Sequence, residues 1–398
     1  MNRPRRPARA HKPRERGMAL LMVLVLTTVL AALAADLQNE TSVNLAMARN
    51  ARDQYQAQLH ARSALELELF FLRFQSMLKG TIGKFIPVPL FEMSSYFVSS
   101  DTMKGIVKRK GDSPVDERLK DEAEFGSFEG SFWVEQVVDE NRKININKEA
   151  PTRCANLAHL LMAGVFDDPK HDKLFESLGD THDPLRARLE VIANMTDWVD
   201  GNEDVDSVCT LTGDTSVSSV AEDTRYDHLP YNISFKPKNG QMTSLAELRM
   251  VPLVNDEFMR TFADYFTVWT DDTGINMNTA QPELIRAIVR ALSPGGVQPG
   301  DDEKFEKFQE EMLLMRAMPP PLNVLSKPAF LSLLDKAGIR VDNERFTQLE
   351  SKGVLRFDDT SNVYKIVAVG RVGDATSTLT VVWRDDRGLG EIRYFRED

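Results

Sequence analysis

The chain has 398 residues, a net charge of −11 and two cysteines. The length is sufficient for two or three domains with hydrophobic cores, and the acidic balance argues against binding to nucleic-acid phosphates. The charge is unevenly distributed. Residues 1–17 carry seven basic residues and one acid, so they have a charge of +6, and the remaining chain has a charge of −17.

The N-terminal part predicts a membrane anchor. Its stretch "RERGMALLMVLVL" joins the basic arm to an apolar run, and the 18 residues Met18–Ala35 contain no charge, glycine or proline. That length is just enough to cross a bilayer as a helix. Since a basic segment before an apolar one stays in the cytoplasm, we expect a single-pass inner-membrane protein with its body in the periplasm. Glycine and proline are absent through Lys79, which predicts one helix over 18–79.

Three interpretations of this N-terminus are open. It is an uncleaved signal anchor, or a secretory signal cut after Ala32–Ala34, which fits an A-x-A site. The third interpretation is that "RERG" followed by a retained apolar helix resembles a type IV prepilin leader. That resemblance implies cleavage by a prepilin peptidase between Gly17 and Met18 and N-methylation of Met18. One departure from the usual leader is Met22, at the fifth mature position, where prepilin-like proteins usually carry a glutamate.

Strand patterns occur in two distant parts of the chain. In the first, "SFWVEQVV", alternation predicts Phe132, Val134 and Val138 on one face and Trp133 and Val137 on the other. The second, near the C-terminus, contains "NVYKIVAVG", "STLTVVWR" and "EIRYF" separated by turns, which predicts an antiparallel meander. Because too many residues separate the two parts for a loop, we expect an inserted, mainly helical domain.

The fold class is therefore α+β: a pilin-like long N-terminal helix and a small antiparallel β-sheet, with a large mainly α-helical domain inserted. The predicted boundaries are 1–17 for the basic leader, 18–79 for the transmembrane and pilin helix, 80–141 with 355–398 for the sheet domain, and 142–354 for the insert. Within the insert, we expect residues 295–325 to be a linker or a lineage-specific insertion.

The insert contains a weak internal repeat. "KININKEAP" is similar to "GINMNTAQP", and each places an N-x-N motif before a helix start, where asparagine and proline are both favoured. We expect Asn145, Asn147, Asn276 and Asn278 to shape two strand-to-helix turns, not to act in catalysis.

The segment "SLAELRMVPLVNDEFMRTFADYFTVW" resembles a helix-hairpin-helix or SAM-like unit. Its hairpin lacks the glycine of DNA-binding members and has no basic cluster, so packing against protein is favoured.

An acidic loop follows the helix predicted near 184–199. Residues 197–224 hold eight acids and no lysine or arginine, and part of the loop has the D-x-N-x-D spacing that begins an EF-hand. The sixth position is Val205 and the twelfth Leu211, so the pattern is not an EF-hand. Two interpretations stay open, a solvated loop and a site for a hard cation such as Ca²⁺. The candidate ligands are Asp197, Asp200, Asn202, Asp204, Glu222 and Asp223.

The order of these motifs resembles the family of minor pseudopilins K of type II secretion systems. The shared series is a glycine-ended leader without the fifth-position glutamate, an N-x-N motif, "DWVDGNED", "AEDTRY", "SLAEL" and "NMNTAQP". The resemblance implies a calcium-binding subunit at the tip of the periplasmic pseudopilus. There it would join the minor pseudopilins I and J, help to start assembly and support export of folded proteins.

No enzyme motif is present in the sequence. The six histidines are scattered and form no H-E-x-x-H set, and no G-x-S-x-G or P-loop pattern occurs. We therefore expect no catalysis, no small-molecule substrate and no nucleic-acid partner. The main alternative is a signal-anchored periplasmic calcium-dependent hydrolase, and a second is a helix-hairpin-helix binder of DNA.

Cys154 and Cys209 lie beyond the anchor, in a compartment that permits disulfides. The sequence leaves open whether they form a disulfide or stay two separate thiols.

Overall fold

The computed structural model describes residues 15–81, 94, 97–102, 130–147, 157–178, 183–201, 208–209, 216–217, 236–271, 274–293, 302–318, 323–351, 353–357, 361–386 and 390–398. The helices are α1 (Glu15–Thr81), α2 (Leu157–Phe166), α3 (Asp172–Leu178), α4 (Pro184–Val199), α5 (Asp256–Phe262), α6 (Pro282–Leu292), α7 (Asp302–Arg316), α8 (Lys327–Lys336) and α9 (Asn343–Ser351). The strands are β1 (Ser131–Asp139), β2 (Ile144–Asn145), β3 (Val208–Cys209), β4 (Ser216–Val217), β5 (Phe266–Thr267), β6 (Ile275–Asn276), β7 (Leu355–Arg356), β8 (Val363–Val372), β9 (Ala375–Arg384) and β10 (Glu391–Glu397).

Helix α1 is continuous over 67 residues, which makes it about 100 Å long at about 1.5 Å per residue. The predicted leucine stripe is confirmed, since Leu65, Leu69 and Leu72 are buried in the core between α1 and the sheet. Small residues let the helix approach closely. A Cβ on Gly370 of β8 would lie 2.1 Å from the Ala57 carbonyl oxygen of α1, so this glycine allows direct backbone contact.

The sheet has the order β1-β8-β9-β10, and all its pairings are antiparallel. The predicted C-terminal meander is confirmed, with a tight turn at Gly373, whose φ of +57° favours glycine. Helix α1 packs on one face of this sheet, mainly over β8 and β9. The long helix and the antiparallel sheet together form the expected pilin-like unit.

The predicted alternation in β1 is wrong after Val134. The register with β8 shifts between Val134 and Gln136, and such a bulge inserts an extra residue into one strand. Val137 consequently lies opposite Ile366 and packs against the core under α1. Strict period-two counting had placed this valine on the other face.

The inserted part consists of two similar modules, and this extends the weak repeat seen in the sequence. Each begins with an isoleucine–asparagine strand, β2 or β6, that pairs in parallel with a short strand closing its module, β5 or β7. In each module, the side-chain amide of the second asparagine of the N-x-N motif donates to the C=O and accepts from the N–H of one residue far away in the chain. Asn147 donates to the Met242 carbonyl at 2.8 Å and accepts from its N–H at 2.7 Å. Asn278 does the same with Leu325, at 3.3 and 2.6 Å.

The predicted helix-hairpin-helix is present in the first module as a 3-10 helix, Leu245–Met250, followed by α5. Its hairpin residue Leu253 has a φ of +65°, the left-handed conformation that glycine adopts at least cost. In the second module α8 and α9 form a related hairpin, and Gly338 has a φ of +74°. The two hairpins thus use the same backbone conformation with different residues.

The segment 295–325 contributes to the core of the insert. Its helix α7 buries Phe305, Phe308 and Met312 and packs along α8.

One predicted boundary between the insert and the sheet domain needs correction. Leu355 and Arg356 pair with β6 of the insert and not with the four-stranded sheet, because the second module needs a closing strand as the first does.

Candidate functional sites

The first candidate site is the N-terminal half of α1. Every residue from Gly17 to Arg52 is exposed, including the apolar Met18, Leu20 and Met22, which are 69, 74 and 71% exposed. Within the described ranges this is one helix long and apolar enough to cross a membrane. Uncovered apolar surface of this extent is typical of contact with lipid or with other proteins, so this part of the helix is a candidate membrane anchor.

The predicted cleavage position lies at the start of this helix. Gly17 and Met18 are both exposed in the first turn of α1. Cleavage there and methylation of Met18 stay predictions.

The second candidate site is at the C-terminal end of α4. Asp197 and Asp200 are 0 and 4% exposed, so these two residues do not lie in a solvated loop, which was one of the two interpretations of the sequence. The Asp200 N–H donates to the Thr196 carbonyl at 3.0 Å and ends the helix. Gly240 brings a later segment against it, because its N–H donates to the Trp198 carbonyl at 3.4 Å. Two acidic residues three positions apart are thus buried at the end of α4, and their carboxylates are hard oxygen donors of the kind that suit Ca²⁺.

The other four candidate ligands, Asn202, Asp204, Glu222 and Asp223, lie outside the described residues. The described residues contain no group of three or more His, Cys, Asp or Glu side chains that could hold a metal, so the six-residue calcium site stays a prediction. The disulfide is equally untested. Cys154 lies outside the described residues, and of Cys209 only the backbone, in β3, is described.

Asp139 is an important residue that the sequence analysis missed. It ends β1 and is 2% exposed. It accepts hydrogen bonds from the Asn276 amide at 3.1 Å, the Thr279 hydroxyl at 2.6 Å and the Asn141 N–H at 2.7 Å. Burial raises the pKa of Asp139, and these hydrogen bonds oppose that rise. The residue joins the sheet to the second N-x-N motif. The sequence signal that could have identified Asp139 is an acidic residue at the end of an apolar strand.

A charged cleft of 370 Å³ lies between α2, α4, α6 and α7. Arg290 binds Asp167 at 3.0 Å, and Arg188 pairs with Asp172 across the same cleft. Arg286 lies over the Phe305 ring at 5.1 Å. These charges of the cleft therefore pair within the chain, and the Arg290–Asp167 pair joins the two modules of the insert.

No protein-family model matches the chain, and no curated protein matches it. The solved structures include a similar chain. It belongs to the GspK-GspI-GspJ complex from the type 2 secretion system of enterotoxigenic Escherichia coli. The identity is 16%, the match covers 68% of this chain and 80% of that chain, and the TM-score is 0.46. Similarity at this level does not by itself establish a shared function.

Proposed function

We propose that the chain is a minor pseudopilin of a type II secretion system. The observation that carries this proposal is the division of α1. Its segment Met18–Ala35 is apolar and exposed, and its C-terminal part, with Leu65, Leu69 and Leu72, packs across a four-stranded antiparallel sheet. A subunit of this form can wait in the inner membrane and then transfer the same apolar helix into a filament. The order of motifs in the sequence supports the same family.

The leader would be removed before assembly. A prepilin peptidase would cut between Gly17 and Met18 on the cytoplasmic side, where the basic arm stays, and would methylate the new N-terminus. The sheet and the insert would then lie in the periplasm.

The position in the filament would be the tip. A subunit with Met22 in place of the usual glutamate has no carboxylate to pair with the N-terminal amine of a neighbouring subunit, and a large insert leaves little room for a subunit stacked above. The partners would be the minor pseudopilins I and J. The role is nucleation of the pseudopilus and support of protein export, without catalysis.

Calcium would bind at the acidic end of α4. Asp197 and Asp200 support this, because both lie buried at the end of α4 and carboxylate oxygens are the ligands that Ca²⁺ prefers. The ion would supply positive charge that fixes the following loop against the end of α4. Asn202, Asp204, Glu222 and Asp223 would complete the ligands.

The deciding experiment is intact mass and N-terminal peptide mapping of protein recovered from its own membranes, with two matched variants. We expect a mature chain that starts at N-methylated Met18. Gly17→Leu should block processing, and Ala34→Leu should leave it unchanged. A start at Ala35 that is lost in Ala34→Leu would mean a secretory signal, and a start at Met1 a plain anchor. Either result would overturn the proposal.

A further inference from the structure

The insert contacts one end of the four-stranded sheet. In the register of the sheet, Asp139 of β1 lies opposite Tyr364 of β8. Arg384 of β9 lies opposite Val363 of β8 and Glu391 of β10. These residues mark the end of the sheet at which β1 leads into the insert and β8 returns from it. Contacts with the insert occur on both halves of this end.

The half formed by β1 and β8 carries the chain connections and a buried contact. Asp139 accepts hydrogen bonds there from Asn276 and Thr279 of the second module. Next to it, the Ser361 hydroxyl donates to the Asn141 side-chain oxygen at 2.7 Å, which joins the outgoing chain to the returning one. Opening this contact would leave a buried carboxylate without its hydrogen-bond donors, which is costly. This half is therefore a fixed junction.

The half formed by β9 and β10 meets the insert through charged side chains. Asp271, between the two modules, has one oxygen 2.8 Å from the Arg384 Nε and the other 3.3 Å from an Arg393 Nη. Glu391 of β10 pairs with the same two arginines, at 3.7 and 3.0 Å. These four side chains form a network, the clasp, and networks hold better than single exposed ion pairs.

The clasp differs from the fixed junction in its exposure. The side chains of Asp271, Arg384 and Arg393 are 41, 28 and 30% exposed, so they can separate into water without leaving a buried charge. An aromatic contact lies beside them, between Trp269 of the insert and Tyr394 of β10, with ring centroids 5.5 Å apart. The clasp is thus the contact between insert and sheet that opens at the lower cost.

We propose that the clasp stops the insert from tilting about its junction with β1 and β8. Relative motion of joined domains is expected unless their interface fixes them. With the clasp closed, contacts on both halves of the sheet end make the insert and the sheet one rigid body. With Asp271 released, the junction at β1 and β8 becomes a hinge, and the insert tilts away from β9 and β10. This inference goes beyond the proposed function and holds whether or not the leader is cleaved.

The test measures a distance between insert and sheet in the full-length chain in detergent micelles. Spin labels are attached through non-canonical ketone residues, which avoids the two cysteines. They replace Leu314 on α7 and Asp374 in the turn between β8 and β9, both exposed. We expect pulsed electron resonance to give one narrow distance distribution. Asp271→Lys places a third positive charge beside Arg384 and Arg393 and should broaden that distribution about twofold or more.

Two further variants separate the clasp from a general loss of structure. Adding Arg393→Glu to Asp271→Lys gives the lysine an acid to pair with and should restore the narrow distribution. Asp335→Lys, at an exposed acid on α8, should leave the distribution narrow. A broad distribution in the unaltered chain would overturn the inference, and so would a narrow one in Asp271→Lys or no recovery in the double variant. None of these results bears on processing at Gly17, which tests the proposed function separately.

Discussion

At the scale of single residues, the burial of Glu68 makes the free energy of unfolding depend on pH. It lies on α1 well beyond the apolar segment, is fully buried, and accepts a hydrogen bond from the Ser94 hydroxyl at 2.5 Å. Burial raises its pKa from 4.5 to about 7, with the Ser94 hydrogen bond opposing the rise. The folded chain therefore keeps a proton that the unfolded chain releases between these two values. The free energy of unfolding must fall as the pH rises through this window.

Replacing Glu68 with glutamine should remove this dependence. The variant keeps an acceptor for Ser94 and cannot ionise. We expect Glu68→Gln to match the wild type near pH 4.5 and to exceed its free energy of unfolding by about 3 kcal/mol at pH 8. Denaturation of both proteins in detergent micelles across this pH range measures the difference. Glu66→Gln, at an exposed neighbour, is the control. A constant difference between Glu68→Gln and wild type at all pH values would contradict the argument.

The buried acids at the end of α4 give a second prediction at this scale. If Asp197 and Asp200 hold calcium in the folded chain, removal of the ion takes away the stabilisation that its binding supplies. We expect chelation to lower the thermal midpoint of the purified protein and added Ca²⁺ to restore it. Asp197→Asn and Asp200→Asn should weaken that response, whereas Asp335→Asn, at an exposed position, should not. An unchanged midpoint after chelation would exclude a bound calcium that stabilises the fold.

At the scale of elements, the contact between α1 and β8 depends on the absence of a side chain at Gly370. An added Cβ would lie 2.1 Å from the Ala57 carbonyl oxygen and 2.4 Å from the Ala61 nitrogen, so helix and strand would have to separate. We expect Gly370→Ala to lower the free energy of unfolding by about 1–3 kcal/mol or more. Gly240→Ala, whose added Cβ would meet its nearest atom at 3.8 Å, should have little effect. Equal stability of the two variants, measured by thermal unfolding, would show that the helix does not pack as described.

The N-x-N motifs also act at this scale. In each module the first asparagine shapes the turn by accepting the N–H of the second, at 2.9 Å in Asn147 and 3.1 Å in Asn278. The second asparagine then fixes a segment far away in the chain, Met242 or Leu325. A short polar motif thus orders a whole module, because buried backbone groups must find partners.

At the scale of the whole molecule, the proposed tip position predicts where the chain lies in a filament. We expect labelled protein at one end of each pseudopilus, in a number that does not rise with filament length, when the major pseudopilin is overproduced. The reason is the bulky insert together with Met22 in place of a carboxylate. Gold labelling in electron micrographs, with the labelled major subunit as the control, measures this. Label spread along the filament would exclude a tip-restricted subunit.

The sequence by itself determined the long helix, its apolar exposed half, the C-terminal meander and the helix-hairpin-helix. These elements follow from local signals: the absence of glycine and proline, runs of apolar residues and turn residues between strands. The same signals predict the leader, which stays a prediction, and they located the acidic residues, of which Asp197 and Asp200 are buried at the end of α4.

The tertiary structure alone decided what depends on distant partners. The bulge in β1 moves Val137 to the core face, and the pairing of Leu355 with Ile275 assigns that strand to the insert. Asp139 acquires its role from Asn276 and Thr279, which are more than a hundred residues away. The ion pairs of Asp271 with β9 and β10 likewise depend on which strands become neighbours. None of these pairings follows from local propensity, because each is stabilised by contacts between segments far apart in the chain.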